Sequence, residues 1–304
     1  MYRNNLVLQW KTEVISTSTA TRGQNESMAC ALLQICGLKV RYAQNSATSV
    51  LALDNVSLSV YPGEVIGILG ESGSGKSTLA AAVMRLLPQT SEHDGAIFLE
   101  DKELLEMDES ELRRIRGKSI SLIPQDPATS LNPVIRVGTQ ISEVLRAHQP
   151  LNRRDRKNRV QELLQEVGFD DPERTASSYP HQLSGGQRQR VAIAQAIACR
   201  PALIIADEPT GKLDSPLQMQ ILTLMSEIVR RHGTALLWIT HDPATLVDFA
   251  DRIAVMHQGR IVEEDETAII LRQPVHSYTQ TLVRLSQDFA LDSSRGLGPL
   301  EYAR

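Results

Sequence analysis

Residues 70–78, which read GESGSGKST, contain side chains of the types and spacing that bind phosphate. Glycines in such a loop allow the turns by which backbone N–H groups wrap an anion. The lysine can reach the terminal phosphates, and the hydroxyl after it can ligate Mg²⁺. An apolar run, EVIGILG, precedes the loop and a helix-like run, STLAAAVMRLL, follows it. The pattern predicts a nucleotide-phosphate site made by Gly70, Glu71, Ser72, Gly73, Ser74, Gly75, Lys76, Ser77 and Thr78.

Acidic and amide side chains follow other apolar runs. Asp207 ends ALIIAD, where its carboxylate can hold Mg²⁺, and the adjacent Glu208 can orient or deprotonate an attacking water. Gln125 follows SLIP and can contact the metal or that water. His241 follows TALLWIT and can bond the terminal phosphate. Because parallel strands bind ligands at their carboxyl ends, we expect all four side chains near the phosphate loop.

A second glycine-containing segment, LSGGQRQR at 183–190, opens a helix-like run. Ser184, Gly185, Gly186 and Gln187 stand where free N–H groups and the positive end of the helix dipole can meet an anion. The segment lies about a hundred residues beyond the first site, after a helical stretch. We therefore expect it to contact the phosphate of a nucleotide held by another chain.

Composition restricts the function classes. The chain has 304 residues and a formal net charge of −4, which gives no support for nucleic-acid binding. Cys30, Cys36 and Cys199 have no CxxC spacing, so we expect buried free thiols in a reducing compartment. We find neither an apolar run long enough to span a membrane nor a signal peptide. Membrane association is therefore expected to come through a partner.

Strand-like and helix-like runs alternate along the chain, which predicts an α/β fold with a mostly parallel sheet covered on both faces. Residues 128–195 contain few strand signals and read as an inserted helical subdomain. Residues 1–33 are polar and aperiodic at their centre, which indicates a disordered arm, and either Met1 or Met28 can be the start. The basic run 153–159 could contact RNA or lipid headgroups, but Glu162 and Glu166 nearby favour a solvated helix face.

The order of these features resembles that of the ATP-binding cassette ATPases over about 34–270. It comprises an aromatic residue at 42, the phosphate loop at 70–78, the glutamine at 125, LSGGQ at 183–187, the acidic strand at 203–208 and the histidine at 241. The resemblance implies a P-loop core with an added antiparallel β subdomain. It implies ATP as ligand, with Mg²⁺ held by Ser77, Gln125 and Asp207, and Tyr42 stacked on adenine. It also implies a head-to-tail dimer in which LSGGQ of one subunit faces the ATP of the other.

Two further segments, IPQDPATSLNPVIRVGTQISE and GRIVEEDETAIILRQPVHSYTQTLVR, are similar to the oligopeptide, dipeptide and nickel importer subfamily. This likeness makes 271–304 a family-specific tail. It implies two transmembrane permease subunits, met by the segment after Gln125, and a second ATPase subunit, identical or paralogous. An extracytoplasmic solute-binding protein would act indirectly, and the chain would lie on the cytoplasmic face of the inner membrane. Peptide is the family-level expectation for the substrate; opine, sugar-phosphate conjugate and nickel stay open.

Three departures from the subfamily pattern stand out. Lys212, in PTGKLD, occupies a position where alanine is usual, and this charge can make one of two composite sites atypical. Ser277, in HSYTQTL, occupies a position where proline is usual. The cysteine-rich C-terminal loop of many members is missing, so no iron–sulfur cluster is expected.

Three other classes share part of this pattern. A nucleic-acid maintenance ATPase would carry a coiled coil or zinc module between the two phosphate segments, and this interval is short and contains no cysteine pair. A small-molecule kinase would leave LSGGQ without a role. A ribosome-associated protein would normally contain two cassettes. A transport ATPase accounts for every motif.

Overall fold

A computed structural model gives the structure of residues 30–45 and 48–285. The chain divides into two units, 1–30 and 31–304, and the fold described below is that of the second. Residues 1–29 of the predicted disordered arm lie outside the described part, and so do Met1 and Met28. Residues 30–33 lie inside it. The last residues of the predicted tail, 286–304, lie outside it as well.

Four strands form an antiparallel sheet in the order β2-β1-β4-β5. The long pair consists of β1, Leu33–Asn45, and β2, Thr48–Val60; β4 is Ser91–Leu99 and β5 is Lys102–Glu103. Their apolar side chains alternate with polar ones, as expected for a sheet with one covered face. This sheet is the antiparallel β subdomain that the family resemblance implied.

Six strands form a second sheet in the order β10-β9-β3-β8-β7-β6. Neighbouring strands are parallel except at the edge, where β10 runs antiparallel to β9. Its strands are β3 Val65–Leu69, β6 Ile120–Ile123, β7 Leu203–Asp207, β8 Ala235–Thr240, β9 Arg252–His257 and β10 Arg260–Glu266. The predicted α/β fold with a mostly parallel sheet is therefore confirmed.

The second sheet is buried on both faces. Ile66 and Leu237 face the antiparallel sheet, in one apolar cluster. Leu69 and Trp238 belong to the other cluster, which the helices cover. Because successive side chains on a strand point to opposite faces, these strands must be apolar throughout, which explains runs such as VIGIL and ALLWIT.

Helices cover the sheet and fill the interval between β6 and β7. They are α1 Lys76–Val83, α2 Glu109–Ile115, α3 Pro127–Ser130, α4 Val137–His148, α5 Arg153–Glu166, α6 Pro172–Ser177, α7 Gly185–Ile197, α8 Ser215–His232, α9 Thr267–Arg272 and α10, 277–285. Short 3-10 helices occupy Pro180–Gln182 and Pro243–Leu246. Between 127 and 197 the described chain contains helices and no strand.

Two details differ from the sequence-based expectations. The helix after the phosphate loop ends at Val83, because Arg85 takes a left-handed φ of 53° and the chain turns there. The three cysteines are free, but they are not buried. Cys30 precedes β1 and is exposed, whereas Cys36, at an irregularity of β1, and Cys199 are half-buried. This partial burial raises the pKa of the Cys36 and Cys199 thiols.

The central strand β8 offers a test of this two-sided core. Leu237→Ala should lower the free energy of unfolding by about 2–5 kcal/mol, because it opens a cavity where the side chain is fully buried. Leu86→Ala is the matched control, since that leucine is 52% exposed and should cost less than about 1 kcal/mol. Urea unfolding followed by circular dichroism measures both. Equal losses for the two variants would contradict the two-sided packing.

Candidate functional site

The loop between β3 and α1 has the backbone shape that phosphate binding requires. Gly73 and Gly75 take φ values of 83° and 107°, in the left-handed region that glycine enters without strain. Gly75 is also the N-cap of α1, and it gives the helix no side-chain cap. The first N–H groups of α1 are therefore left for another acceptor, and the helix dipole favours an anion there.

Lys76 lies across this loop rather than in open solvent. Its Nζ donates to the carbonyl oxygens of Gly70 at 2.7 Å and Glu71 at 2.8 Å. Burial lowers the pKa of Lys76, while the negative charges of Glu208 and Asp207 act to raise it. The ammonium group is thus desolvated and surrounded by oxygen atoms, and it lies within reach of the cleft floor.

The carboxylate that ends β7 meets the hydroxyl that opens α1. Ser77 Oγ donates to Asp207 Oδ1 at 3.2 Å. Burial raises the pKa of Asp207, and the hydrogen bond from Ser77 opposes that rise. A hydroxyl and a desolvated carboxylate side by side form the oxygen donor set that Mg²⁺ prefers, so the residues fit this ion. Gln125, predicted as a third ligand, contacts Glu208 in this structure instead.

Glu208 is the point at which the predicted polar residues converge. Its Oε2 accepts a hydrogen bond from Gln125 Nε2 at 2.9 Å. Its Oε1 lies 3.3 Å from His241 Nδ1 and 4.0 Å from Lys76 Nζ. The backbone of Glu208 has a φ of 44°, a left-handed conformation that is uncommon for a residue with a side chain. This conformation turns the carboxylate at the end of β7 toward the cleft.

A cleft of about 730 Å³ joins these groups. The predicted residues that line it are Glu71, Ser72, Gly73, Gly75, Lys76, Ser77, Thr78, Gln125, Glu208 and His241. Gly70, Ser74 and Asp207 support it from behind: Gly70 packs against Met256, the Ser74 side chain is buried, and Asp207 bonds to Ser77. The residues predicted from separate strands thus do meet at one edge of the parallel sheet.

Five further residues line the cleft and carry no chemical signal in the sequence. Val50, Leu51 and Ala52 come from β2 of the antiparallel sheet. Gln258 and Gly259 come from the turn between β9 and β10. The exposed apolar side chains of Val50 and Leu51 give this end of the cleft a hydrophobic wall. A run of apolar residues on an alternating strand does not distinguish a wall of this kind from an ordinary sheet edge.

Tyr42 lies beside the phosphate loop rather than among the residues that line the cleft. It pairs with Val50 across the two long strands, and its hydroxyl lies 3.4 Å from Thr78 Oγ1. The tyrosine is therefore tied to the last residue of the phosphate loop, next to the apolar wall. Stacking of Tyr42 on adenine stays a prediction.

The LSGGQ segment lies outside this cleft. Ser184 is the N-cap of α7, and its hydroxyl accepts from Gln187 N–H at 3.3 Å while Gln187 Oε1 accepts from Ser184 N–H at 2.9 Å. Gly185 is exposed with open space where a Cβ would lie, and Gly186 is buried against Leu217. The reciprocal bonds fix the start of α7 and leave the Gly185 face open to a ligand.

Lys212 forms a contact that the sequence did not predict. Its Nζ lies 2.5 Å from Asp126 Oδ2. Asp126 follows Gln125, and Lys212 lies four residues after Glu208. The ion pair therefore connects the two loops that bring Gln125 and Glu208 together. An atypical composite site due to Lys212 stays a prediction.

Comparisons with known proteins agree with this geometry. The profile of the ABC transporter family matches residues 53–211. The dipeptide transport ATP-binding protein DppD of Haemophilus influenzae is 44% identical over 284 residues, which cover 90% of this chain and 84% of DppD. The peptidoglycan transport ATP-binding protein YejF of Agrobacterium fabrum is 46% identical over 254 residues. That match covers 83% of this chain, which spans about half, 46%, of YejF.

A solved structure of the ATP-binding cassette MJ0796, a dimer in a post-hydrolysis state bound to ADP and Pi, has the same fold. It superposes with a TM-score of 0.69 at 30% identity, over 77% of this chain and 98% of that one. No described helix is both long and apolar enough to traverse a bilayer. The family match, the relatives and the shared fold lead to one conclusion: the chain belongs to the ABC transporter family and is an ATP-hydrolysing cassette of it.

Proposed function

We propose that this cassette drives the import of peptides or similar small solutes, with the cleft around Glu208 as its ATPase site. The observation that carries the site assignment is the convergence of Gln125, His241 and Lys76 on the Glu208 carboxylate. The substrate class rests on relatives whose names specify dipeptide transport and peptide import.

In this proposal the phosphate loop binds the triphosphate of ATP. The free N–H groups at the start of α1 would donate to phosphate oxygens, and the Lys76 ammonium would neutralise charge on the terminal phosphates. Because Lys76 already lies over the loop with its Nζ on the Gly70 and Glu71 carbonyls, little reorganisation brings it to a bound phosphate. The adenine would lie toward the apolar wall of Val50 and Leu51, near Tyr42.

Ser77 and Asp207 would hold Mg²⁺, with Gln125 as a third oxygen donor. Bound Mg²⁺ supplies positive charge that neutralises the phosphate oxygens. A pKa raised by burial means that the Asp207 carboxylate is costly to ionise without a counter-charge. The site is therefore poised to accept a cation beside the phosphates.

Glu208 would act as the general base. A water that attacks the terminal phosphorus forms a new P–O bond as the bond to the bridging oxygen breaks, and its proton passes to Glu208. The products are ADP and inorganic phosphate. Gln125 donates to Glu208 and would orient both the carboxylate and the water. His241, which contacts the same carboxylate and is half-exposed, would bond the terminal phosphate.

The LSGGQ segment would complete the site of a second cassette, identical or closely related. Its open Gly185 face lies outside the cleft of its own chain, which supports a contact with the phosphate of a partner's ATP. Two such contacts around a two-fold axis close a dimer over two ATP molecules. The loss of the terminal phosphate removes the contact and lets the dimer open.

This motion would act on two transmembrane permease subunits, through the segment after Gln125. In that arrangement the cassette sits on the cytoplasmic face of the inner membrane. A solute-binding protein outside the membrane delivers the substrate to the permeases and touches the cassette only indirectly. The substrate would then never contact this chain.

Replacement of the loop lysine tests the phosphate assignment. Lys76→Ala should lower ATP turnover by about a hundredfold or more, because the charge that stabilises the transferred phosphate is lost. Phosphate release under steady state measures it. Lys102→Ala removes an equal charge from an exposed position and should leave turnover unchanged. Near-normal turnover in Lys76→Ala would remove the basis for the assignment.

Replacement of the LSGGQ serine tests the shared site. Ser184→Arg should leave the Kd for ATP within about twofold of wild type and lower turnover by about a hundredfold, because the long cation blocks closure on the partner's phosphate. Ser110→Arg makes the same change at an exposed position of α2 and serves as the control. Equilibrium titration with a fluorescent nucleotide gives the Kd. A parallel loss of ATP affinity in Ser184→Arg would mean that the site is not shared.

A further inference from the structure

The C-terminal segment returns to the phosphate loop through one side chain. Tyr278, on α10, accepts a hydrogen bond at its hydroxyl from the backbone N–H of Glu71 at 3.1 Å. The two residues are 207 positions apart. Glu71 is the second residue of the loop and lines the cleft. The HSYTQTL motif, which the ATPase chemistry does not use, thus contacts the ATPase site directly.

The Glu71 peptide groups are held from two sides. Its N–H donates to Tyr278, and its carbonyl accepts from Lys76 Nζ at 2.8 Å and from Ser74 N–H at 3.2 Å. A shift of Glu71 would therefore move a partner of the Lys76 ammonium. The tyrosine hydroxyl and the loop lysine are coupled through a single residue.

Tyr278 is itself fixed in place. Its ring lies on that of His257, with centroids 3.9 Å apart and planes 32° from parallel. The chain before α10 is anchored by Glu263 of β10, whose carboxylate accepts from the N–H groups of Val275 at 2.7 Å and His276 at 3.1 Å. Tyr278 N–H donates to His276 Nδ1 at 3.2 Å. These contacts give the hydroxyl a defined position relative to β9 and β10.

The same strands support the phosphate loop from behind. Gly259 N–H donates to the carbonyl of Ser74 at 2.9 Å. A Cβ at Gly70 would lie 2.3 Å from the carbonyl oxygen of Met256, so the loop and β9 touch closely. These two contacts belong to the backbone. The hydrogen bond to Tyr278 belongs to a side chain, and a substitution can remove it without altering either strand.

We propose that Tyr278 is a positioning residue for ATP binding: its hydroxyl fixes Glu71, and through Glu71 the loop and the Lys76 ammonium. The proposal rests on the assignment of residues 70–78 to phosphate binding. Burial raises the pKa of Tyr278, which favours the neutral hydroxyl. The C-terminal segment therefore contributes to the affinity of the cassette for nucleotide.

Tyr278→Phe in the full chain removes the acceptor and keeps the ring on His257. We expect KM for ATP and Kd for a fluorescent ATP analogue to rise about two- to tenfold, the value of one hydrogen bond, with kcat within about twofold of wild type. Tyr61→Phe removes a hydroxyl from an exposed turn and should change neither constant. Tyr278→Ala should weaken binding at least as much as Tyr278→Phe.

If Tyr278→Phe has the KM and Kd of the wild type, the proposal is overturned. This holds even if Tyr278→Ala is impaired, because the ring would then act by packing and not through its hydroxyl. A smaller fraction of active Tyr278→Phe protein with unchanged KM and Kd would overturn the proposal too, because the hydroxyl would then affect folding and not nucleotide binding. Lys76→Ala separates this failure from failure of the site assignment. If Lys76→Ala is inactive and Tyr278→Phe has wild-type KM and Kd, only the role of Tyr278 is rejected. If Lys76→Ala is active, the assignment of residues 70–78 to phosphate binding is rejected.

Discussion

The Glu208 carboxylate lies 4.0 Å from the Lys76 ammonium, and the rest of the site depends on this pairing of opposite charges. In the proposed reaction, the general base stands near a phosphate that repels its negative charge, so positive charge has to lie between the two. Lys76 and the cation proposed beside Asp207 would supply that charge. The hydrogen bond from Gln125 and the contact with His241 then fix where the carboxylate points.

The parallel sheet makes this arrangement possible. Strands β3, β6, β7 and β8 end at one edge, and the residues that follow each strand share a cleft. Because the sheet is buried on both faces, its strands cannot shift without exposing apolar surface. The rigid sheet fixes the strand ends, and the loops need only present their polar groups.

Much of this could be predicted because it is local in sequence. The phosphate loop, the acidic end of β7 and the helix that opens at LSGGQ each depend on neighbours within a few residues. The strands β3, β7 and β8 are short apolar runs followed by polar residues. Because parallel strands bind ligands at their carboxyl ends, this pattern predicted at which edge of the sheet the site lies. The α/β class followed from their alternation with helices.

The parts that sequence reasoning missed depend on contacts between distant segments. Val50, Leu51 and Gly259 line the cleft because two separate sheets meet there, and nothing near them in the sequence indicates it. Lys212 and Asp126 are 86 residues apart, and Tyr278 and Glu71 are 207 apart. Periodicity and motif spacing report on one segment at a time, so contacts of this range became visible only in the fold.

Where the second cassette is a copy of this chain, each ATP would be enclosed by two copies, the second contributing LSGGQ. The most direct test is the mass of the Glu208→Gln variant by light scattering, with and without Mg-ATP. An amide cannot take the proton of the attacking water, so the variant should retain ATP. The mass of this variant should double when Mg-ATP is added. A mass that stays that of the monomer, with ATP bound at one per chain, would contradict the pairing of two copies.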